Sequence, residues 1–267
     1  MRKSLCLLVS AVLAVSLSSG CASKYGTRKT EVNYYPACYD PIQKLRAEEK
    51  NVTDSTVGGS AAGALGGALL GILVTGKAEG ALIGAVAGAA GGAVVGNQLA
   101  KNRQIASQNQ RMAAYLNDLD GSIANLNIVS ASARTSLQCY DRQFKLLVTA
   151  IRRKRVTHDE ARRMFAEIRS GTEEASALLG ELENEALDME RQYREALASE
   201  ERQLDKARNG QTRAAARDTR NELRRARQSC NTLQGGARKV SAQKAAADRQ
   251  LKAQQDELAA VLASSQA

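Results

Sequence analysis

From about residue 105 onward the chain repeats its apolar positions in steps of three and four. Ile105, Met112, Leu119, Leu126, Ala133, Tyr140 and Leu147 are seven apart, with a companion row at Leu116, Ile123, Leu137, Phe144 and Ile151 in which Ser130 is the odd member. Such a seam predicts a long helix with one buried stripe. It ends at RRKRVTHDE, where Arg152 to Arg155 place positive charge at a helix C-terminus. Thr157 and Glu160 then form a capping box that starts a second helix. Its seam is Ala161, Phe165, Ile168, Thr172, Ala175, Leu179, Leu182, Ala186, Met189 and Tyr193. Phase is lost around Asn209 and Gly210, which predicts another turn. A third seam follows from Ala216 through Thr219, Leu223, Ala226, Cys230, Leu233, Ala237, Val240, Lys244, Ala247, Leu251, Gln254 and Leu258 to Val261. Three helices of about 50 residues with short connections fold most simply as an antiparallel up-down-up bundle, a rod of about 75 to 80 Å. The expected fold class is all-α.

The first hundred residues follow a different rule. Between Ser55 and Gly76 there is no charged residue; Lys77 and Glu79 interrupt, and from Gly80 to Ala100 there is again none. Glycines step by four, at Gly59, Gly63, Gly67 and Gly71, then at Gly76, Gly80, Gly84, Gly88, Gly92 and Gly96. Positions i and i+4 share a helix face, so each row is a groove without side chains that another backbone can approach closely. Each arm of about 18 to 20 residues measures about 28 Å as a helix, close to the thickness of a bilayer core. The prediction is a transmembrane hairpin with TGKAEG, residues 75 to 80, at its tip. Because Gly and Ala contribute little to insertion, the arms depend on each other or on neighbouring copies.

The chain opens with MRKSLCLLVSAVLAVSLSSGCAS, a basic start, an apolar run and small residues ahead of Cys21. This is an export signal, excluded from the fold. A cysteine directly after Gly20, with Leu17 and Ser18 upstream, resembles the lipobox of bacterial lipoproteins. That resemblance implies cleavage between Gly20 and Cys21 and acylation of Cys21. Several acyl chains anchor stably where a single chain does not. With Ala22 rather than Asp after the cysteine, the resemblance leans to the outer membrane, the periplasmic face of the inner membrane being the alternative. The glycine rows resemble the glycine-zipper two-transmembrane domain of small outer-membrane lipoproteins and surface antigens of Gram-negative bacteria. About 40 residues carry that likeness, so it speaks for the anchor and not for the coiled region. The division read from sequence is a signal peptide at 1–20, a lipidated juxtamembrane segment at 21–54, the zipper hairpin at 55–100 and a periplasmic coiled region at 101–267. Lipidation and two crossings would put the segments before and after the hairpin on one side of the membrane.

Composition narrows the chemistry. The chain has no Trp and two Phe in 267 residues, too little bulk for a large globular core. Its net charge of +10 becomes about +8 once Arg2 and Lys3 leave with the signal. Membrane lipid, peptidoglycan, an acidic envelope protein or a second copy of the chain are compatible partners; nucleic acid is not, for an exported chain with so few aromatics. Runs such as Arg213, Arg217, Arg220, Arg224, Arg225 and Arg227 read as solvated helix surface. GILVTGKA, residues 71 to 78, fits a phosphate loop only up to its lysine, because Ala78 stands where Ser or Thr must hold magnesium. His158 is the single histidine and is accounted for by helix initiation. Glu173-Glu174, Glu183-Glu185 and Glu200-Glu201 read as solvated carboxylates. We therefore expect no enzyme, no catalytic or metal site, and no cofactor beyond the lipid on Cys21.

Cys38, Cys139 and Cys230 remain for an oxidising compartment. Bundle arithmetic separates Cys139 from Cys230 by about 24 Å, beyond the roughly 7 Å limit for a disulfide. Cys38 with Cys230 is the candidate pair, with free thiols as the alternative. CYDPIQKL at 38 and CYDRQFKL at 139 form a short echo that we read as chance similarity. The leading expectation is a lipid-anchored structural or adaptor protein of the cell envelope. Its rivals are an oligomeric pore or membrane-remodelling protein, and a module that binds peptidoglycan or an envelope complex.

Overall fold

The structure, a computed structural model, describes residues 29–55, 99, 102–103, 107–206 and 213–265. Cys21, Gly20 and the ten zipper glycines lie outside the described residues, as does Ile105. Every described element is helical: α1 (Pro36–Ser55), α2 (Gln108–Arg152), α3 (His158–Lys206) and α4 (Arg213–Ser264). Among them no helix is long and apolar enough to cross a membrane.

Helices α2, α3 and α4 form the predicted bundle. Met112, Leu119, Leu126, Ala133, Tyr140 and Leu147 of α2 are buried, as is every seam residue of α3 from Ala161 to Tyr193. The pairings between side chains fix the directions. From α4, Thr219 reaches Asn109, Ser229 reaches Asp120 and Gln250 reaches Asp141, at sequence separations of 110, 109 and 109. A constant offset over three such contacts means that α2 and α4 run parallel in one register. Between α2 and α3 the partners move in opposite senses, Arg111 to Glu200 and Asp118 to Tyr193, so these two are antiparallel. Helix α4, with 52 residues, is about 78 Å long.

The turn between α2 and α3 is as the sequence predicts. Lys154 adopts a φ of 54° after the last turn of α2. The amide of Glu160 donates to Thr157 Oγ1 at 3.2 Å, satisfying one of the orphan donors of α3. His158 does more than start the helix, since its Nε2 lies 2.7 Å from Ser265 Oγ and ties this turn to the end of α4. Gly171 has a packing role: a Cβ there would lie 2.2 Å from Tyr140 Cζ, so the missing side chain lets the fully buried Tyr140 ring rest on the α3 backbone.

Two expectations are corrected. The segment ahead of the zipper is not a free juxtamembrane stretch, because from Lys29 onward it lies in the groove between α2 and α3. There Cys38, Tyr39, Ile42 and Leu45 are buried. Cys38 is bonded to Cys139, with Cα atoms 5.1 Å apart, and not to Cys230, which is a buried free thiol of the bundle core. The physical reason is that α1 is held in register on α2 and α3 by polar contacts, which set Cys38 beside Cys139. The two echoed motifs are therefore partners. Each also makes the same local ion pair, Lys44 with Asp40 at 2.7 Å and Lys145 with Asp141 at 2.6 Å.

Candidate functional site

The groove between α2 and α3 holds both flanks of the zipper, and buried carboxylates on its walls do the holding. Glu167 and Glu174 stand seven residues apart on α3, hence on one face, directed at the segment before the zipper. Glu167 accepts the amides of Asn33 and Tyr34 at Oε2 (2.8 and 2.6 Å) and that of Tyr35 at Oε1 (2.8 Å). These donors immediately precede α1, whose first helical residue, Pro36, has no amide hydrogen to satisfy. A carboxylate at that point meets both the orphan N–H groups and the positive end of the helix dipole. Burial, followed by the nearby Glu167 charge, pushes the Tyr35 phenol up to about 12, so it stays neutral.

Glu174 is 2% exposed and collects a larger set of donors. Its Oε2 accepts the amides of Lys29 and Thr30 at 3.2 and 3.0 Å and the Thr30 hydroxyl at 2.7 Å. Its Oε1 accepts Tyr39 OH at 3.0 Å and the Arg46 guanidinium at 3.0 Å from Nε and 2.6 Å from Nη2. Burial alone would raise this carboxyl, but the Thr30 hydrogen bond, the Arg46 charge and Tyr39 outweigh it and hold it below its ordinary range. Ser136 on α2 completes the clasp by donating to the Cys38 carbonyl at 2.6 Å, beside the disulfide.

The flank after the zipper is held in the same groove by less. Leu99 is buried in the main hydrophobic cluster with Met112 and Tyr115. Asn102 donates to Asp118 Oδ2 at 2.6 Å, and Tyr193 OH donates to the same oxygen at 2.5 Å. Oδ1 of Asp118 is buried with no hydrogen-bond partner. Burial therefore raises the Asp118 carboxyl to about 6, the Tyr193 and Asn102 hydrogen bonds offsetting only part of the cost. Closer to the start of α2, Arg111 clamps Glu200 through two contacts at 2.9 Å, with Gln108 donating to both its carbonyl and its carboxylate.

In chemical terms the groove is a set of buried acceptors, most of them met by the chain's own donors, that fastens segments to the bundle. The sequence reading treated Glu174 and Glu200 as solvated, and the structure buries both. The visible signal was the seven-residue spacing of Glu167 and Glu174 alongside a seam. Cys230, which the sequence offered for pairing, is enclosed, and burial lifts its thiol to about 11. Arg217, Arg220, Arg224, Arg225 and Arg227 are exposed, as the heptad reading requires, and Arg227 pairs with Glu201.

What lies between the two flanks is identified by comparison. Residues 1–100 match the model of the YMGG-like Gly-zipper family. The match supports a glycine-zipper domain in the first hundred residues and points to a membrane-associated envelope protein; α2, α3 and α4 lie beyond it. No curated protein and no solved structure matches the chain. Set beside the fold, the Gly-zipper lies between two flanks that dock on the same bundle, the first through Cys38–Cys139 and Glu174 of α3, the second through Asp118 of α2.

Proposed function

We propose that this is a lipid-anchored structural or adaptor protein of the cell envelope, with Cys21 acylated, the glycine zipper inserted as a hairpin in the outer membrane, and the helical bundle on the periplasmic side. The observation that carries this reading is that residues before and after the zipper build one body. Lys29 to Arg46, and Leu99 and Asn102, occupy one groove of the same bundle. A chain whose two flanks are packed together enters and leaves a membrane from the same side, which is the topology a two-armed hairpin requires. The Cys38–Cys139 bond supports export, since such bonds persist in oxidising compartments. The side-chain-free rows of the zipper are suited to packing against other helices in lipid, and so to self-association.

Fractionation of the wild-type chain beside Cys21→Ala and a Gly84→Leu/Gly88→Leu double variant tests the reading. The wild type is expected in the outer-membrane fraction, the first variant unprocessed or released, and the second poorly assembled. Unchanged behaviour of both variants overturns it.

A further inference from the structure

Resting on the reading that the zipper enters a bilayer, we infer that the bundle does not stand upright on the membrane. It lies along the surface, with the α1 face against the lipid headgroups. The argument is one of reach. Tyr193 of α3 is level with Asp118 and Asn102, and α3 runs thirteen residues further to Lys206, about 20 Å. The exit of the zipper therefore sits on the flank of the rod, well short of its nearer end.

Its entry lies further back still. Cys38 is bonded to Cys139, which the pairing of Arg111 with Glu200 and of Asp118 with Tyr193 sets level with about residue 172 of α3, and α1 continues 17 residues, about 25 Å, to Ser55, level with about residue 189. An upright bundle, resting on the end that carries Arg111, Glu200, Glu201 and Lys206, would hold these two stems about 20 and 25 Å above the lipid. The sequence has no slack to cover that distance, because residues 55–100, charged only at Lys77 and Glu79, are needed in full for two arms of about 20 residues and their tip. Pushing the charged end into hydrocarbon instead is prohibitively costly.

A second tether excludes the same end. Lys29 and Thr30 are fixed to Glu174, 32 residues or about 48 Å from the Lys206 end of α3. Cys21 is eight residues upstream, and eight residues reach at most about 28 Å. An acyl chain on Cys21 therefore does not reach a bilayer under the Lys206 end, and the opposite end, which it could reach, lies more than about 50 Å from the zipper exit beside Tyr193. All three attachments leave from the groove that α1 fills, so that face meets the lipid. It presents Lys29, the Lys44 ammonium (71% exposed) and Tyr34 (39% exposed), groups suited to an interface of anionic and polar headgroups.

The chain contains no Trp, so single tryptophans report position without background. Lys44 lies on the outer side of α1, six residues or about 9 Å along the rod from Cys38 and the level of Cys139. Arg249 lies on the outer side of α4 beside Gln250, which bonds Asp141 at that same level; Arg163 lies on α3 next to Tyr34, nearer the α2–α3 turn. The full chain carrying Lys44→Trp, Arg163→Trp or Arg249→Trp is reconstituted into phosphatidylcholine vesicles with a nitroxide on the headgroup, and quenching is read on the floated vesicles. Lys44→Trp and Arg163→Trp are expected to be quenched at least threefold more strongly than Arg249→Trp, and Ala47→Trp repeats the Lys44 reading one turn on. Equal quenching of the Lys44 and Arg249 probes overturns the inference, as does an Arg163 probe no more quenched than the Arg249 probe. A chain that fails to float with the vesicles refutes insertion itself, a separate result from either.

Discussion

The two flanks of the zipper enter one groove and are fastened there in opposite ways. Ahead of the zipper, Glu174 has each oxygen satisfied and an arginine for its charge, and a disulfide lies one helical turn away. Behind it, Asp118 has one oxygen doubly satisfied and the other buried alone, with no cation among its partners. The same residue chemistry in the same groove thus stabilises one flank and strains the other. What decides the sign is that Glu174 collects more donors, a guanidinium charge among them, against the cost of burial that both groups bear.

Removing one partner from the saturated site has the largest expected effect. Glu174→Ala removes the buried acceptor that the half-buried Arg46, the Thr30 hydroxyl and Tyr39 OH share, and is expected to cost about 3–5 kcal/mol. Denaturant unfolding of the full chain measures it, and faster hydrogen exchange in residues 29–46 locates it. A loss confined to surface levels, below about 1 kcal/mol, would abolish the contrast between the flanks.

Asp118→Asn is expected to act in the other direction. A carboxyl that folding raises to about 6 contributes its stability fully below the unfolded value near 4. That contribution is lost as pH rises through 6. Asparagine keeps an acceptor for Asn102 and Tyr193 without the charge, so the variant gains on the order of 2–3 kcal/mol over wild type at pH 8 and nothing at pH 3. Glu174, held below its ordinary value, has the opposite slope, its contribution present at neutral pH and lost on acidification. Stability curves of wild type and Asp118→Asn across this range check both signs. Smallest is Lys145→Ala, which removes an exposed i,i+4 pair with Asp141 and is expected to change stability by less than about 0.5 kcal/mol by the same unfolding assay.

The contrast also explains what could be read beforehand. The seams of α2, α3 and α4 were legible because a heptad pattern reports which face of a helix is covered, and Thr157 was legible because capping is local. Neither signal says what covers a groove once the bundle is formed. Among its described side chains, helix α1 buries apolar residues at Cys38, Tyr39, Ile42 and Leu45, a pattern too short to stand out. Its docking rests on Glu167 and Glu174, which in a list of heptad positions look like ordinary flanking charges. The one sequence clue was the repeated Cys-Tyr-Asp, and a repeat does not announce that its copies touch. Bundle arithmetic rightly kept Cys139 away from Cys230, and it failed for Cys38 because it assumed that a segment without a seam is free to wander.

The bond between Cys38 and Cys139 closes a ring of chain around everything from one cysteine to the other, 101 positions along the sequence. A protease that clips the polypeptide anywhere inside that ring, zipper included, produces no separated fragments. The halves migrate as a single species on a gel run without reductant and part company only when thiol is added. Damage to the membrane-facing loop thus leaves the bundle still shackled to whatever holds its first residues.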